Sequence, residues 1–250
     1  MLKVNKISKS YKNKEKIINV IKEISFNIKD GDFVSFVGPS GCGKTTLLKI
    51  ISGILQADAG EIFVKDKKIT KAGKDIGMVF QDFSLFPWLT VRDNISFGLK
   101  LKNTPRKEIN KIVNHYLDIT GLTDFANAYP NSLSGGMKQK VAIARTLANN
   151  PKIILMDEPF GSLDSLTRSS MQEFLTKLWE DEHKTILFVT HDVEEALFLS
   201  NKIYVLDKRP TKFKEEIDVD FKRSREHFLK HSKKFFDMRN RIIDLLSDRK

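Results

Sequence analysis

Apolar and polar residues alternate along this chain in two rhythms. Short apolar runs bounded by turn residues read as strands: EISFNI and FVSFVG on either side of the turn KDGD, then EIFV and IGMVF. KTTLLKIISGI, directly after FVSFVG, has helical spacing. From about Pro87 to Pro151 the rhythm is helical throughout, in TVRDNISFGLKL, RKEINKIVNHYLDITGL and SGGMKQKVAIARTLANN. Strand character returns in KIILMDE, TILFVT and KIYVL, separated by the helical stretches SLTRSSMQEFLTKLWEDE and DVEEALFLS. Strands alternating with helices predict an α/β fold, a mostly parallel sheet covered by helices on both faces, divided by a helical insert. At the end, Phe228-Leu229, Phe235-Phe236 and Ile242-Ile243 recur every seven residues with Leu246 on the same side. This predicts an amphipathic helix that either packs on the body or, being basic, meets a partner or a membrane surface.

Composition adds boundaries to this picture. With 250 residues, 40% hydrophobic and 30% charged, the chain can bury a substantial core. No apolar run approaches the roughly 18 residues needed to span a bilayer, and the start, MLKVNKISKSY, has no apolar signal-peptide core. The single Cys42 excludes an internal disulfide and fits a reducing compartment. The expectation is a cytoplasmic protein. The net charge of +11 is concentrated at the two ends: residues 1–22 hold seven Lys and one Glu, and residues 222–250 hold ten Lys and Arg against four acids. Each end thus carries +6, and the stretch between sums to −1. A nucleic-acid groove more often places its basic residues on the folded body, so no nucleic acid is expected. The basic ends are either solvated lysines or faces for anionic lipid or an acidic partner.

The candidate chemistry sits where strands end. Gly38-Pro39-Ser40-Gly41-Cys42-Gly43-Lys44-Thr45 fits G-x-x-x-x-G-K-[ST], with an apolar strand before it and a helix after it. Glycines let such a loop wrap phosphates with successive N–H groups pointing inward. Lys44 reaches the β- and γ-phosphates, and Thr45 offers a hydroxyl to Mg²⁺. Cys42 lies inside the loop, where a helix N-terminus can lower a thiol pKa. IILMDEP supplies a buried strand with Asp157 and Glu158 at its carboxyl end, where ligands of open α/β sheets bind. Adjacent acids point in different directions, so two roles are expected: Asp157 holds Mg²⁺, and Glu158 polarises the attacking water. His191 closes TILFVTH and Gln81 closes IGMVFQ, again at strand ends. His191 taken alone is a packing or helix-start histidine; beside the other two strand ends it can bond the γ-phosphate. Gln81 is either a polar strand end or a sensor of Mg²⁺ and the γ-phosphate. A second anion-binding helix start, Ser134-Gly135-Gly136 in LSGGMKQK, has no evident purpose in a chain that already has a phosphate loop.

Over residues 2 to about 210 this set resembles the ATPase subunits of ATP-binding cassette (ABC) transporters. It has the phosphate loop, Gln81, LSGGMKQ, ILMDEP, GSLD and His191 in that family's order. The resemblance implies a P-loop NTPase: a RecA-like core of mostly parallel sheet plus an antiparallel β subdomain, and an inserted helical subdomain. Residues 1–86 and 152–221 would form the ATP-binding core, 87–151 the helical subdomain carrying the signature, and 222–250 a C-terminal amphipathic basic helix. It implies ATP and Mg²⁺ as ligands and a head-to-tail dimer with a second copy, in which Ser134, Gly135 and Gly136 bind the γ-phosphate held by the other copy. That accounts for the second anion site, since a polyanion between two helix N-termini holds them together. By the same resemblance Tyr11 stacks on adenine, Gly38 to Thr45 with Thr46 bind the nucleotide, and Ser162 and Asp164 cross the dimer interface. Thr45, Gln81 and Asp157 serve Mg²⁺; Glu158, His191, Gln81 and Lys44 act in hydrolysis. Lys140 stands where the family usually has Arg.

A transporter subunit without a membrane span needs membrane partners. Phe83, Leu85, Phe86 and Trp88 crowd apolar surface just after Gln81, which marks either a contact surface or core packing. In ABC importers this region receives a cytoplasmic helix of the permease, so permease contact near Gln81–Thr90 is expected. LFPWLTV resembles the Leu-Leu-Pro-Trp segment of the nitrate, sulfonate, taurine and bicarbonate importers, with Phe86 in place of the commoner Leu; VDFKRSREHF resembles their Arg-Pro-Arg stretch only loosely. The resemblance thus implies an ATPase that is peripheral on the cytoplasmic face of the membrane and powers uptake of a small anion, with an extracytoplasmic solute-binding protein in the same system. Another importer solute, such as a pyrimidine vitamin precursor, and a cassette acting on nucleic acid or ribosomes are the alternative readings.

Overall fold

A computed structural model describes residues 1–13, 16–222, 225 and 227–247. The described residues form two sheets. Strands β1 (Leu2–Asn13), β2 (Lys16–Ile28), β4 (Ala59–Val64) and β5 (Lys67–Lys68) make an antiparallel sheet in the order β2-β1-β4-β5. The second sheet holds β3 (Phe33–Val37), β6 (Ile76–Val79), β7 (Ile153–Asp157), β8 (Thr185–Thr190), β9 (Lys202–Leu206) and β10 (Phe213–Asp218) in the order β10-β9-β3-β8-β7-β6. Its members run parallel except for β10, an antiparallel edge.

The central strands are apolar on both faces, as strands covered from both sides must be. Phe33 and Val37 of β3, Ile154 and Met156 of β7, and Ile186 and Phe188 of β8 join one buried cluster with the helices. Their neighbours Val34, Phe36, Ile153, Leu155, Leu187 and Val189 join the other, which contains the antiparallel sheet and α1 (Lys44–Ile51). Each fully buried Val, Leu, Ile or Phe among these contributes about 1.5–3 kcal/mol through removal from water.

The first cluster continues into α2 (Val91–Leu101), α3 (Arg106–Thr120), α4 (Gly135–Ala148), α5 (Ser165–Glu182) and α6 (Val193–Leu199). Helices α2, α3 and α4 pack on one another, and α4 also meets the edge strand β6. Two glycines permit the close approach: a Cβ on Gly77 would lie 2.5 Å from Thr146, and one on Gly98 would lie 2.2 Å from Asn149. Lys140 donates to the Thr120 carbonyl at 3.1 Å. A point charge therefore serves the end of α3 without Arg's planar fork.

The C-terminal stretch differs from the single amphipathic helix expected. Its described residues form a short 3-10 turn at His227–His231 and then α7 (Lys233–Ser247). Ser232 makes the break: its side-chain Oγ accepts from Phe235 N at 3.3 Å, an N-cap bond. Phe235 and Ile242 are buried, whereas Phe228 is 80% exposed, so the heptad pattern holds only within α7. The helix packs on α6 and β9. Residues 223, 224, 226 and 248–250 of the predicted 222–250 helix, and part of VDFKRSREHF, lie outside the described residues. No helix among the described residues is long and apolar enough to cross a membrane.

Candidate functional site

The parallel strands β3, β6, β7 and β8 deliver their carboxyl ends to one edge of the sheet, and each brings a predicted residue. β3 runs into the phosphate loop. Gly43 there has φ +119°, and a Cβ would lie 2.6 Å from the Thr211 hydroxyl, so the loop is closed to any side chain at that position. Lys44 is 4% exposed; its ammonium donates to the carbonyls of Gly38 (2.9 Å) and Pro39 (3.1 Å) and faces Glu158 Oε1 at 3.6 Å. Thr45 Oγ1 donates to Asp157 Oδ1 at 3.0 Å. Thr46 follows in the first turn of α1.

The two adjacent acids do point apart. Asp157, the last residue of β7, is buried against Thr45. Burial pushes its carboxyl above the ordinary range, and the Thr45 hydrogen bond opposes that push. Glu158 leaves the strand with φ 44°, a left-handed conformation that non-glycine residues adopt at a cost. That turn swings its carboxylate between Lys44 and His191, whose Nδ1 lies 2.8 Å from Glu158 Oε2. Gln81, just past β6, has its amide nitrogen 3.5 Å from the Cβ position of Gly161, in the loop after Glu158. Lys44, Thr45, Gln81, Asp157, Glu158 and His191 are therefore gathered in one place.

Cys42 does not take the lowered thiol pKa that a helix N-terminus can give. It is 2% exposed, and burial raises its pKa despite the nearby Lys44 charge. Loss of hydration outweighs the positive charges and backbone hydrogen bonds that favour the thiolate here.

The other predicted residues lie apart from this group. Ser134 caps α4 by accepting from Met137 N at 3.3 Å and is itself exposed. A Cβ on Gly136 would lie 2.7 Å from Thr167, and one on Gly135 would lie 3.1 Å from Leu163. The glycines thus seat the start of α4 against the loop 161–164 and α5. Among the described residues no hydrogen bond or ion pair joins residues 134–136 to residues 38–46. Asp164 caps α5, accepting from Leu166 N (3.1 Å) and Thr167 N (3.0 Å), and Ser162 is exposed. Tyr11 is 42% exposed on β1, opposite Ile18, with the Lys9 ammonium 5.7 Å from its ring centre.

Sequence reasoning missed the residues that brace these loops. Thr211 Oγ1 lies on the carbonyls of Val20 (2.7 Å) and Cys42, and Arg209 Nε donates to the Gly41 carbonyl. The only local signal was the turn dipeptide Arg209-Pro210. The aromatic segment after Gln81 is held likewise. Buried Asn94 accepts from Phe86 N (2.9 Å) and donates toward the carbonyls of Phe86, Leu89 and Thr90. Arg145 donates to the carbonyls of Phe83 (3.1 Å) and Ser84 (2.7 Å) and lies over the Phe86 ring. Phe86 packs on Phe97, Trp88 is left 70% exposed, and a groove of about 520 Å³ opens between Phe86, Phe97, Met78 and Arg145.

Comparison with known proteins shows the family and the fold. The family model described as ABC transporter matches residues 21–161. The nitrate import ATP-binding protein NrtD of Synechocystis sp. is 44% identical, covering 99% of this chain and 96% of the relative. The aliphatic sulfonates import ATP-binding protein SsuB of Bacillus cereus is 42% identical over 96% of this chain and 93% of its own length. Among solved structures, a dimeric post-hydrolysis state of the ATP-binding cassette MJ0796 bound to ADP and Pi superposes with a TM-score of 0.77 at 39% identity. It covers 89% of this chain and 100% of that chain. The chain belongs to the ABC transporter family and has the fold of its ATP-binding cassettes.

Proposed function

We propose that this chain is the ATP-hydrolysing subunit of an ABC importer for a small anion of the nitrate, sulfonate or bicarbonate kind. It works as a head-to-tail pair on the cytoplasmic face of the membrane, beneath a separate permease that is fed by an extracytoplasmic solute-binding protein. The observation that carries the hydrolytic reading is Glu158 held between Lys44 and His191 beside the Thr45–Asp157 pair. The phosphate loop and Lys44 bind and orient the phosphates, with Tyr11 on the adenine. Glu158 takes the proton of the attacking water, and His191 fixes the carboxylate through Nδ1.

The hydroxyl of Thr45, the carboxylate of Asp157 and the amide of Gln81 are hard oxygen donors of the kind Mg²⁺ takes alongside phosphate oxygens. Asp157 is buried with a hydroxyl as its hydrogen-bond partner, an environment that a nearby dication relieves. When bound, Mg²⁺ neutralises charge on the phosphates. In the dimer Ser134, Gly135 and Gly136 of one copy close on the nucleotide of the other, and loop 161–164 crosses between copies. Residues 1–86 and 152–221 act as the ATP-binding core, and 87–151 as the moving helical subdomain.

The import half of the reading rests on the similarity to import subunits and on the groove lined by Phe86, against whose ring the exposed Trp88 lies, which suits an amphipathic helix of a permease. The test is recruitment to membranes that carry the cognate permease, followed by ATP-driven uptake of labelled nitrate, taurine and bicarbonate into vesicles. Trp88→Ala is expected to cut membrane recruitment at least tenfold while ATP binding is kept. A chain that hydrolyses ATP yet never associates with the permease would refute the import reading and leave the ATPase intact.

A further inference from the structure

Loop 161–164 and His191 are connected by a run of polar contacts, centred on buried Glu195 and Thr190, that the hydrolytic residues do not use. Arg168, in the first turn of α5, donates through Nη2 to the Leu163 carbonyl at 2.9 Å. Its Nε is buried without a hydrogen-bond acceptor, and stands 3.7 Å from Glu195 Oε1. Its Nη1 stands 3.9 Å from Asp192 Oδ2. Glu195 is 4% exposed, and its second oxygen accepts from Thr190 Oγ1 at 2.7 Å. Thr190 Oγ1 in turn accepts from Asp192 N at 3.0 Å, and Asp192 caps α6. Thr190 and Asp192 are the two neighbours of His191, which bonds Glu158.

The gap at Arg168 is the informative feature. Buried donors in folded proteins almost always find an acceptor, and one left open is costly. A movement of about 0.7 Å would bring Nε to ordinary hydrogen-bond distance of Glu195. Arg168 is anchored to Leu163, so a shift of loop 161–164 moves the guanidinium across that gap. We infer that Arg168 and Glu195 are positioning residues: their ion pair closes when loop 161–164 is engaged and, through Thr190 and Asp192, sets His191 against Glu158. The inference rests on the reading of Glu158 and His191 as the hydrolytic pair.

The carboxyl at the centre of this relay changes charge near neutrality. Burial pushes Glu195 up to about 7; the Thr190 hydrogen bond lowers it, the Asp192 charge raises it, and the charges of Arg168 and His191 lower it. From α7, Arg239 reaches the same turn but is engaged by Glu194 at 2.8 Å. The relay is thus ionic above about pH 7 and neutral below it.

The test compares Glu195→Gln with the native chain, both full length, by ATP turnover with Mg²⁺ between pH 6 and 8.5. Glutamine keeps the Thr190 hydrogen bond and the volume. The expected result is a KM for ATP within about twofold, and a kcat ratio of native to variant of about ten at pH 8 that shrinks toward one at pH 6, where the native carboxyl is itself protonated. Arg168→Gln should show the same loss at pH 8, Arg168→Lys should recover part of it, and the double variant should be no worse than either single one. A ratio near one at every pH, or one that stays near ten down to pH 6, overturns the relay. Glu158→Gln is measured in parallel: if it turns over ATP normally, the hydrolytic reading fails and the relay with it, whereas an inactive Glu158→Gln beside a flat ratio sinks the relay alone.

Discussion

The phosphate loop and the start of α4 are both glycine-rich helix entrances, yet the fold treats them in opposite ways. The phosphate loop is tied in from several directions, by Lys44 to its own carbonyls, by Thr211 and Arg209 from beyond β9, and by Thr45 to Asp157. Ser134 is exposed and, among the described residues, bonds only within its own helical turn, while the glycines after it press on loop 161–164 and α5. One entrance is complete within the chain. The other is finished on its inner side and bare on its outer side, the condition expected of a surface that another molecule completes.

The largest effect should come from the complete half. Glu158→Gln is expected to lower kcat by about 10²–10³-fold, within the range for loss of a general base. Nucleotide binding should be kept, and an ATP-bound dimer should accumulate on size-exclusion chromatography. Next comes the incomplete half: Ser134→Arg should leave nucleotide affinity of the isolated chain within about twofold while abolishing dimer formation, with turnover falling at least tenfold as a consequence. If turnover stays unchanged, the contrast between the two entrances has no functional meaning.

A smaller effect is expected at the brace. Thr211→Val keeps the volume but leaves the Val20 and Cys42 carbonyls without the hydroxyl, which should cost about 1–3 kcal/mol in denaturant unfolding and weaken ATP binding modestly. The smallest is a pH effect on stability. Glu195 has a folded-state pKa raised above its unfolded value. Its contribution is therefore fully present below about pH 4.5 and is lost as pH rises through about 7. Glu195→Gln should remove that fall, seen as a flatter Tm between pH 5 and 7.5.

What could be read from the sequence follows from how local each feature is. Strands β3, β7 and β8 announce themselves because both faces are buried, and α5 because its cap, Asp164, directly precedes it. The convergence of Lys44, Asp157, Glu158 and His191 was legible because three of them sit at strand ends and Lys44 follows the loop that leaves a fourth, and parallel strands deliver their ends to one edge. The whole of β1 was not legible: its pairing with β2 shifts register between Val4 and Ile7 and again on to Ser10, and this breaks the two-residue alternation. Nor could Thr211 be matched to Cys42, a contact 169 residues long, or Arg168 to Glu195. Such contacts are set by how sheets and helices stack, and no spacing along the chain encodes them. The split before α7 did leave a sign in Ser232, a good helix cap placed in the middle of the heptad pattern.

The sole thiol of the chain lies inside the phosphate loop, nearly sealed from solvent. It is therefore a built-in reporter: with no other cysteine to add background, the rate at which an alkylating reagent reaches it counts how often that loop opens, and nucleotide that quiets the loop will slow the labelling in proportion.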